Sequence, residues 1–248
     1  MNFYACIIGT ELLNGRRDDA HLPFLKEELL QRGWELCGVF MIKDDVSLMK
    51  ALFSLVHHDP QGVLFSFGGI GATPDDYTRQ IAAEVFRDGE LYPHPEAVGY
   101  IVERFGDDAY PHRIHMGYLP QGATLLQNPV NNVPGFALDQ RFFFVPGFPS
   151  MAHPMIKEAL DRFYPYGQKR HRKTLTAHCG ENDLIDFMNR LPASIELSSL
   201  PSMLGTQRKT VISLCGDDEQ TIEHHFKLFC DALEHHTIAF ELGDYQQL

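Results

Sequence analysis

Short apolar runs alternate with stretches in which apolar residues recur every three or four positions over the first two thirds of the chain. Residues 3–8 read as a buried strand, and 22–32 as an amphipathic helix closed by Gly33. Residues 35–42 form a second strand, 46–57 a second helix and 63–67 a third strand, entered through the turn Asp59-Pro60-Gln61-Gly62. A further helix is expected over 75–86. This β-α-β-α-β-α order predicts a mainly parallel sheet with right-handed crossovers and helices on both faces. Its ligand crevice belongs at the carboxyl ends of the strands.

Beyond that point the pattern loosens. Residues 93–105 read as a helix, and 119–135 as a passage rich in proline, glycine and asparagine. Residues 136–138 and 142–145 resemble a hairpin around Asp139-Gln140, and 151–163 a closing helix. Residues 164–173, with Pro165, Gly167 and the basic run Lys169-Arg170-His171-Arg172-Lys173, read as a linker. The remainder reads as strand 174–179, helix 182–190, strands 194–200 and 209–215, helix 219–233 and strand 237–240. That β-α-β-β-α-β succession is the ferredoxin-like pattern. Two domains are therefore expected, residues 1–165 and residues 174–248.

Composition narrows the partners. The 248 residues include 33 acidic and 21 basic side chains, a formal charge of −12. That balance argues against broad attraction to nucleic acid or to an anionic membrane. A small phosphorylated ligand stays within reach, because a local cradle or a bound cation outweighs the global field. Cys6, Cys37, Cys179, Cys215 and Cys230 are widely spaced and odd in number, which favours buried free thiols in a reducing compartment. The start Met1-Asn2-Phe3-Tyr4-Ala5-Cys6 lacks the basic region of a signal peptide, and no apolar stretch reaches the roughly 18–20 residues of a membrane span. A cytoplasmic location is expected. Phe142 to Phe144 and the second domain offer apolar surface for self-association, so a homo-oligomer is expected.

Candidate chemistry gathers in four loops. The most informative is Gly68-Gly69-Ile70-Gly71-Ala72-Thr73-Pro74-Asp75-Asp76, which follows the third strand directly. Gly68, Gly69 and Gly71 present bare backbone N–H groups to an anion, Thr73 adds a hydroxyl, and Asp75 and Asp76 stand where they cap the next helix or hold a metal. After the first strand, Glu11 lies in the loop Gly9-Thr10-Glu11-Leu12-Leu13-Asn14-Gly15, as a site carboxylate or a solvated one. After the second, one of Asp44 and Asp45 caps the 46–57 helix and the other faces the crevice. The fourth loop pairs the segment from Asn128 to Phe136 with Val145-Pro146-Gly147-Phe148-Pro149-Ser150, where Ser150 would cap the closing helix at a second anion site. The neighbouring histidine pairs 57/58, 224/225 and 235/236 do not share a helix face and are poor metal candidates.

These loops, in this order, resemble the molybdopterin-binding (MoaB/Mog-type) fold and, more closely, the N-terminal part of the competence/damage-inducible protein A (CinA) family. The resemblance rests on Ile8-Gly9-Thr10-Glu11-Leu12-Leu13-Asn14-Gly15-Arg16, the segment 68–79, the segment 128–136 and Val145 to Ser150, and spans roughly residues 3–160. It implies a three-layer α/β/α domain that binds a pterin or a nucleotide through its phosphates. CinA-type domains are associated with metal-dependent hydrolysis of nucleoside-diphosphate compounds such as ADP-ribose, and relatives of the fold bind or adenylylate molybdopterin. Longer members carry a nicotinamide mononucleotide deamidase domain, which is not expected here.

The chain departs from the family pattern at several points. Ala72 stands for Pro, Ala20-His21 for Thr-Asn, Met151-Ala152 for Glu-Met, and Asn131 for a common Gly that asparagine replaces by tolerating positive φ. Loss of that Asn and that Glu points to an altered activity. The leading expectation is a pyrophosphohydrolase in which Asp44 and Asp76, with Glu11, hold Mg²⁺, Mn²⁺ or Co²⁺. Gly68, Gly69, Gly71, Thr73, Asn128 and Ser150 then bind the phosphates. The rival is a carrier or sensor that holds molybdopterin or a nucleotide without turnover.

Overall fold

The computed structural model describes residues 1–167, 170–204 and 207–243 and divides into two units, Met1–Gly167 and Gln168–Leu248. In the first, β1 (Asn2–Ile8) leads through a single helical turn, α1 (Thr10–Leu13), into α2 (His21–Gln31). There follow β2 (Leu36–Ile42), α3 (Val46–His58), β3 (Gly62–Phe67), α4 (Thr78–Phe86), β4 (Leu91–Pro93) and α5 (Pro95–Phe105). The unit closes with β5 (Tyr118–Pro120), β6 (Thr124–Leu126), β7 (Gly135–Leu138), β8 (Phe142–Val145) and α6 (Pro149–Phe163).

The main sheet has the order β2-β1-β3-β8-β7-β6, parallel from β2 to β8 and antiparallel at β7 and β6. Every residue of β3 and β8 is buried, which is why these strands appear in the sequence as nearly continuous apolar runs, with the buried Ser66 the one polar side chain among them. One face carries Leu25 and Leu29 of α2 with Ala152, Met155, Ile156, Ala159 and Leu160 of α6. The other carries Met49 and Phe53 of α3 with Ile81 and Phe86 of α4. This is the three-layer α/β/α arrangement. The β7–β8 hairpin turns at Asp139 and Gln140, with φ of 54° and 57°, closed by Arg141 N–H to the Leu138 carbonyl at 3.0 Å.

Several boundaries move for local reasons. The 75–86 helix starts only at Thr78, because Asp75 and Asp76 belong to the preceding turn and cap nothing. Residues 91–93 pair with 118–120 as strands, so α5 begins at Pro95, with His94 as its cap. Within 119–135 lies the short strand β6. Phe142, Phe143 and Phe144 are fully buried in the sheet and offer no surface for self-association. All five cysteines are free, and Cys37, on edge strand β2, is exposed rather than buried.

The second unit comprises β9 (His171–Ala177), α7 (Ile185–Met188), β10 (Glu196–Leu204), β11 (Gln207–Gly216), α8 (Glu219–His235) and β12 (Phe240–Leu242). Its antiparallel sheet has the order β10-β11-β9-β12, the strand arrangement of the ferredoxin-like pattern. Leu175, Ile212 and Leu214 pack on Phe226, Phe229 and Leu233. The 182–190 helix contracts to a 3₁₀ turn, Glu181–Leu184, followed by α7. The last strand starts at Phe240 because Thr237 takes φ of 56° where α8 ends. The basic run enters β9 instead of a linker: Arg170 pairs with Glu196 at 2.6 Å and Lys173 with Glu223 at 2.6 Å, while Lys169 lies outside the described residues. Among the described residues no helix is long and apolar enough to cross a membrane.

Candidate functional site

The chain passes from β1 to β2 on one side and then crosses to β3 on the other, so the sheet order reverses between β1 and β3. A crevice opens at such a switch point because the two loops leave it in opposite directions. Here the loop of residues 9–20 borders only a narrow cleft, whereas the larger cavity lies among the loops after β3 and β8 and the 128–134 segment. A Cβ built on Gly147 of the loop after β8 would lie 3.5 Å from the Gly68 Cα.

Two glycines of the central loop are sterically required. Gly68 has φ of 102° and Gly69 of 70°, the left-handed region that side chains resist. A Cβ on Gly68 would meet the Ile8 carbonyl at 2.6 Å, and one on Gly69 the Thr78 hydroxyl at 2.3 Å. That hydroxyl donates to the Gly68 carbonyl at 3.0 Å, and Thr78 N–H donates to the Gly69 carbonyl at 3.0 Å. The loop is thereby pinned to the start of α4. Arg79 pins it again from beneath, donating to the Gly71 carbonyl at 2.6 Å and to the His115 carbonyl. Burial draws the Arg79 guanidinium below its ordinary pKa, and the nearby Asp76 opposes that shift.

Asp76 folds back over Gly71. Its Oδ2 accepts from Thr73 N–H at 2.8 Å and from the Thr73 hydroxyl at 2.5 Å, and Oδ1 lies outside those two bonds. The bend borders a cavity of about 420 Å³, lined by Gly69, Gly71, Thr73 and Asp76 at one end and by Phe105, Met116, Val133, Phe148 and Met151 elsewhere. Among the described lining residues Asp76 is the one ionisable side chain. The cavity has the size and mixed lining of a small-molecule site.

Asn128 also lines this cavity, fully buried. Its amide donates to Asn131 Oδ1 at 2.7 Å and to the Val133 carbonyl at 2.9 Å and accepts from Val130 N–H at 3.0 Å. It braces the wall with the groups a ligand would need. The left-handed residue of this loop is Asn132, with φ of 61°, not Asn131. Asn131 instead reaches Met151 Sδ at 3.8 Å.

The other candidates stand around the cavity rather than in it. Asp45 caps α3 by accepting from Leu48 N–H at 2.9 Å. Asp44 thus turns to the β1 loop, where Oδ2 accepts from Thr10 N–H at 3.0 Å and the Thr10 hydroxyl at 2.8 Å. Asp44 follows β2 and Asp76 follows β3, the two parallel strands that flank β1. Glu11 sits on the turn of helix after β1, 3.9 Å from Arg17, beside a narrow cleft that shares Gly147 with the cavity. Ser150 does not cap α6: the cap position is Phe148, and Ser150 is exposed within the first turn.

Among the described residues no three His, Cys, Asp or Glu side chains come together to hold a metal. A hard cation that travels with a diphosphate needs fewer protein ligands, since phosphate oxygens and water supply the rest. Asp76 Oδ1 has the donor chemistry for that limited role.

Arg79 and Phe148 carry no separate signal in the sequence, whereas His21 and Met151 stand out there as departures from the family pattern near the crevice. His21 stacks on Phe67 with centroids 4.4 Å apart, and its Nε2 lies 3.3 Å from the Gly147 carbonyl oxygen. Its Nδ1 is buried without a partner. The departure from Thr-Asn at 20–21 was visible, but a histidine's burial under a distant loop leaves no mark in local spacing.

Comparison with known proteins agrees with this geometry. The sequence model of the family described as "Probable molybdopterin binding domain" matches residues 5–165. A CinA-like protein of Nostoc punctiforme is 32% identical over 158 residues, which are 61% of this chain and 38% of that protein. A protein of Pyrococcus abyssi is 27% identical over 234 residues, 87% of this chain and 90% of that one. The crystal structure of the protein CinA from Thermoplasma acidophilum superposes with a TM-score of 0.58 at 25% identity, covering 65% of this chain and 98% of that one. The chain spans about two fifths of the length of the CinA-like and competence-damage relatives it matches. The fold and the matched span together place this chain in the family of probable molybdopterin-binding domains, with CinA-like proteins among its relatives.

Proposed function

We propose that the first unit is a divalent-cation-dependent hydrolase of diphosphate-linked nucleotides of the ADP-ribose type. The observation that carries this reading is the juxtaposition, at one end of the cavity, of the Gly69 and Gly71 backbone, the Thr73 hydroxyl and the Asp76 carboxylate. Backbone N–H groups suit phosphate oxygens, while the Thr73 hydroxyl spends its proton on Asp76, and a lone carboxylate beside them repels an anion unless a cation intervenes. Mg²⁺, Mn²⁺ or Co²⁺ held by Asp76 would neutralise the diphosphate and lower the pKa of a bound water.

The protein's own part is positional. Thr78 and Arg79 fix the loop, Thr73 orients Asp76, and the glycines let the ligand approach the backbone closely. In the reaction, water oxygen adds to one phosphorus, the bridging P–O bond breaks, and the bridging oxygen departs with the other phosphate. The matched family, described as a probable molybdopterin-binding domain, supports a phosphate-bearing ligand.

A second reading is favoured by one observation. Met151, where the family pattern carries Glu, lines the cavity and leaves Asp76 as the one ionisable side chain among its described lining residues. The same cradle then holds a nucleotide or molybdopterin without turnover. Incubation of the pure protein with ADP-ribose and each of the three cations separates the readings: hydrolysis yields AMP and ribose 5-phosphate, whereas saturable binding with no product leaves the carrier.

A further inference from the structure

The cavity is chemically two-ended. The polar end is the glycine bend with Thr73 and Asp76; the other walls are Phe105, Met116, Val133, Met151 and the ring of Phe148. A phosphate alone leaves those apolar walls wet. A ligand that fills both ends carries a flat or apolar group beside its charge.

Phe148 is the unusual member of this set. It is 59% exposed, although its backbone is among the most constrained in the loop. Its carbonyl accepts from Met151 N–H at 3.0 Å and Ala152 N–H at 2.9 Å, prolines 146 and 149 flank it closely, and His21 holds the Gly147 carbonyl before it. The ring is therefore presented on a rigid mount. The Arg17 guanidinium lies 5.5 Å from the ring centroid and borders the small cleft beyond Gly147, not the cavity. A cation set against one face of an aromatic ring polarises it and holds its orientation, leaving the other face for a partner.

We propose that Phe148, backed by Arg17, is the stacking platform for the planar fused heterocycle of the ligand; the inference rests on the diphosphate reading of the same cavity. Every base or pterin has a π-face, so a platform of this kind selects for a heterocycle without reading its edge. A nucleobase and a pterin share that chemistry.

The test is calorimetric titration of the full chain and of its Phe148→Leu and Phe148→Trp variants, in Mg²⁺, with ADP, neopterin triphosphate and inorganic pyrophosphate. Leucine keeps the apolar volume and removes the π-face. Phe148→Leu is expected to weaken the heterocyclic ligand by about tenfold, the effect of losing one stacked ring, while pyrophosphate affinity changes by less than about twofold. Phe148→Trp is expected to retain the heterocycle, with the added indole fluorescence quenched by it and not by pyrophosphate. Loss with ADP assigns a nucleobase, and loss with the pterin assigns that ring. Unchanged heterocycle affinity in Phe148→Leu, or equal loss for all three probes, overturns the platform alone. Failure of the wild-type chain to bind pyrophosphate removes the diphosphate reading, and the platform with it.

Discussion

His21 Nε2 lies 3.3 Å from the carbonyl oxygen of Gly147, 126 residues away in sequence. That bond needs a proton on Nε2, which leaves Nδ1 as a bare buried lone pair. Burial pushes the His21 pKa down, more than the Gly147 bond raises it, and burial does the same to His153, 5.3 Å away between ring centroids. Asp19 pulls both upward and Arg17 pushes His21 down.

The folded state thus takes up fewer protons at these histidines than the unfolded chain does. Their contribution to stability is full above the ordinary histidine value of about 6.5 and is lost as pH falls below it toward the folded values. Thermal melts from pH 8 to pH 5 should show a steeper acid fall in the wild type than in His21→Asn. At pH 8 the variant should be less stable by about 1 kcal/mol, for one lost hydrogen bond. Parallel curves would show that His21 is not the titrating group.

Gly69→Ala should be severe and Gly147→Ala mild, although both glycines line the same cavity. At Gly69 the added Cβ meets Thr78 Oγ1 at 2.3 Å with φ at 70°, whereas at Gly147 the nearest atom is 3.5 Å away. The left-handed penalty alone is about 1–2 kcal/mol, before the clash. Chemical denaturation of the two variants is the measurement, and similar midpoints would contradict the bend as described.

Arg79→Met should loosen the loop without emptying the core. The change removes donors to the carbonyls of Gly71 and His115, and charged hydrogen bonds are worth about 1.5–3 kcal/mol each. Stability should fall by about 3 kcal/mol, with limited proteolysis newly cutting near residues 71–77. Arg79→Lys should rescue only part, since one ammonium cannot span both carbonyls as the forked guanidinium does. Full rescue by lysine would mean that charge alone matters there.

The parallel sheet was legible because β1, β3 and β8 are buried on both faces and declare themselves as apolar runs. The glycine bend was legible because positive φ selects glycine at 68 and 69. The function of a polar side chain was harder to read when its partner lay far along the chain. Asn128 had the look of a ligand-binding residue and is spent on Asn131, Val133 and Val130. Ser150 had the look of a cap, but Pro149 already occupies the first turn, so the cap position falls on Phe148. The apolar wall escaped notice because Phe105, Met116 and Met151 come from three separate segments and share no periodicity.

Asp76 and Asp44 make the sharpest contrast for the proposed chemistry. Each accepts a backbone N–H and a threonine hydroxyl through Oδ2, and only Asp76 lines the cavity. An Asp→Asn change keeps a carbonyl oxygen able to accept both bonds, so neither variant should lose more than about 1 kcal/mol of stability. What asparagine cannot supply is the negative charge that a divalent cation needs beside a diphosphate. Asp76→Asn should therefore lower cation-dependent hydrolysis by about a hundredfold or more, because a cation's charge stabilisation of the reacting phosphate is worth several kcal/mol. Asp44→Asn should lower it by about tenfold at most, through the orientation of Thr10 and the β1 loop. Titrating Mg²⁺ at saturating ADP-ribose distinguishes the causes: a weaker cation dependence only in Asp76→Asn locates the ion at the glycine bend. Equal weakening in both variants would mean that one ion bridges the strand ends on either side of β1. A weakening confined to Asp44→Asn would move the reaction out of the cavity altogether.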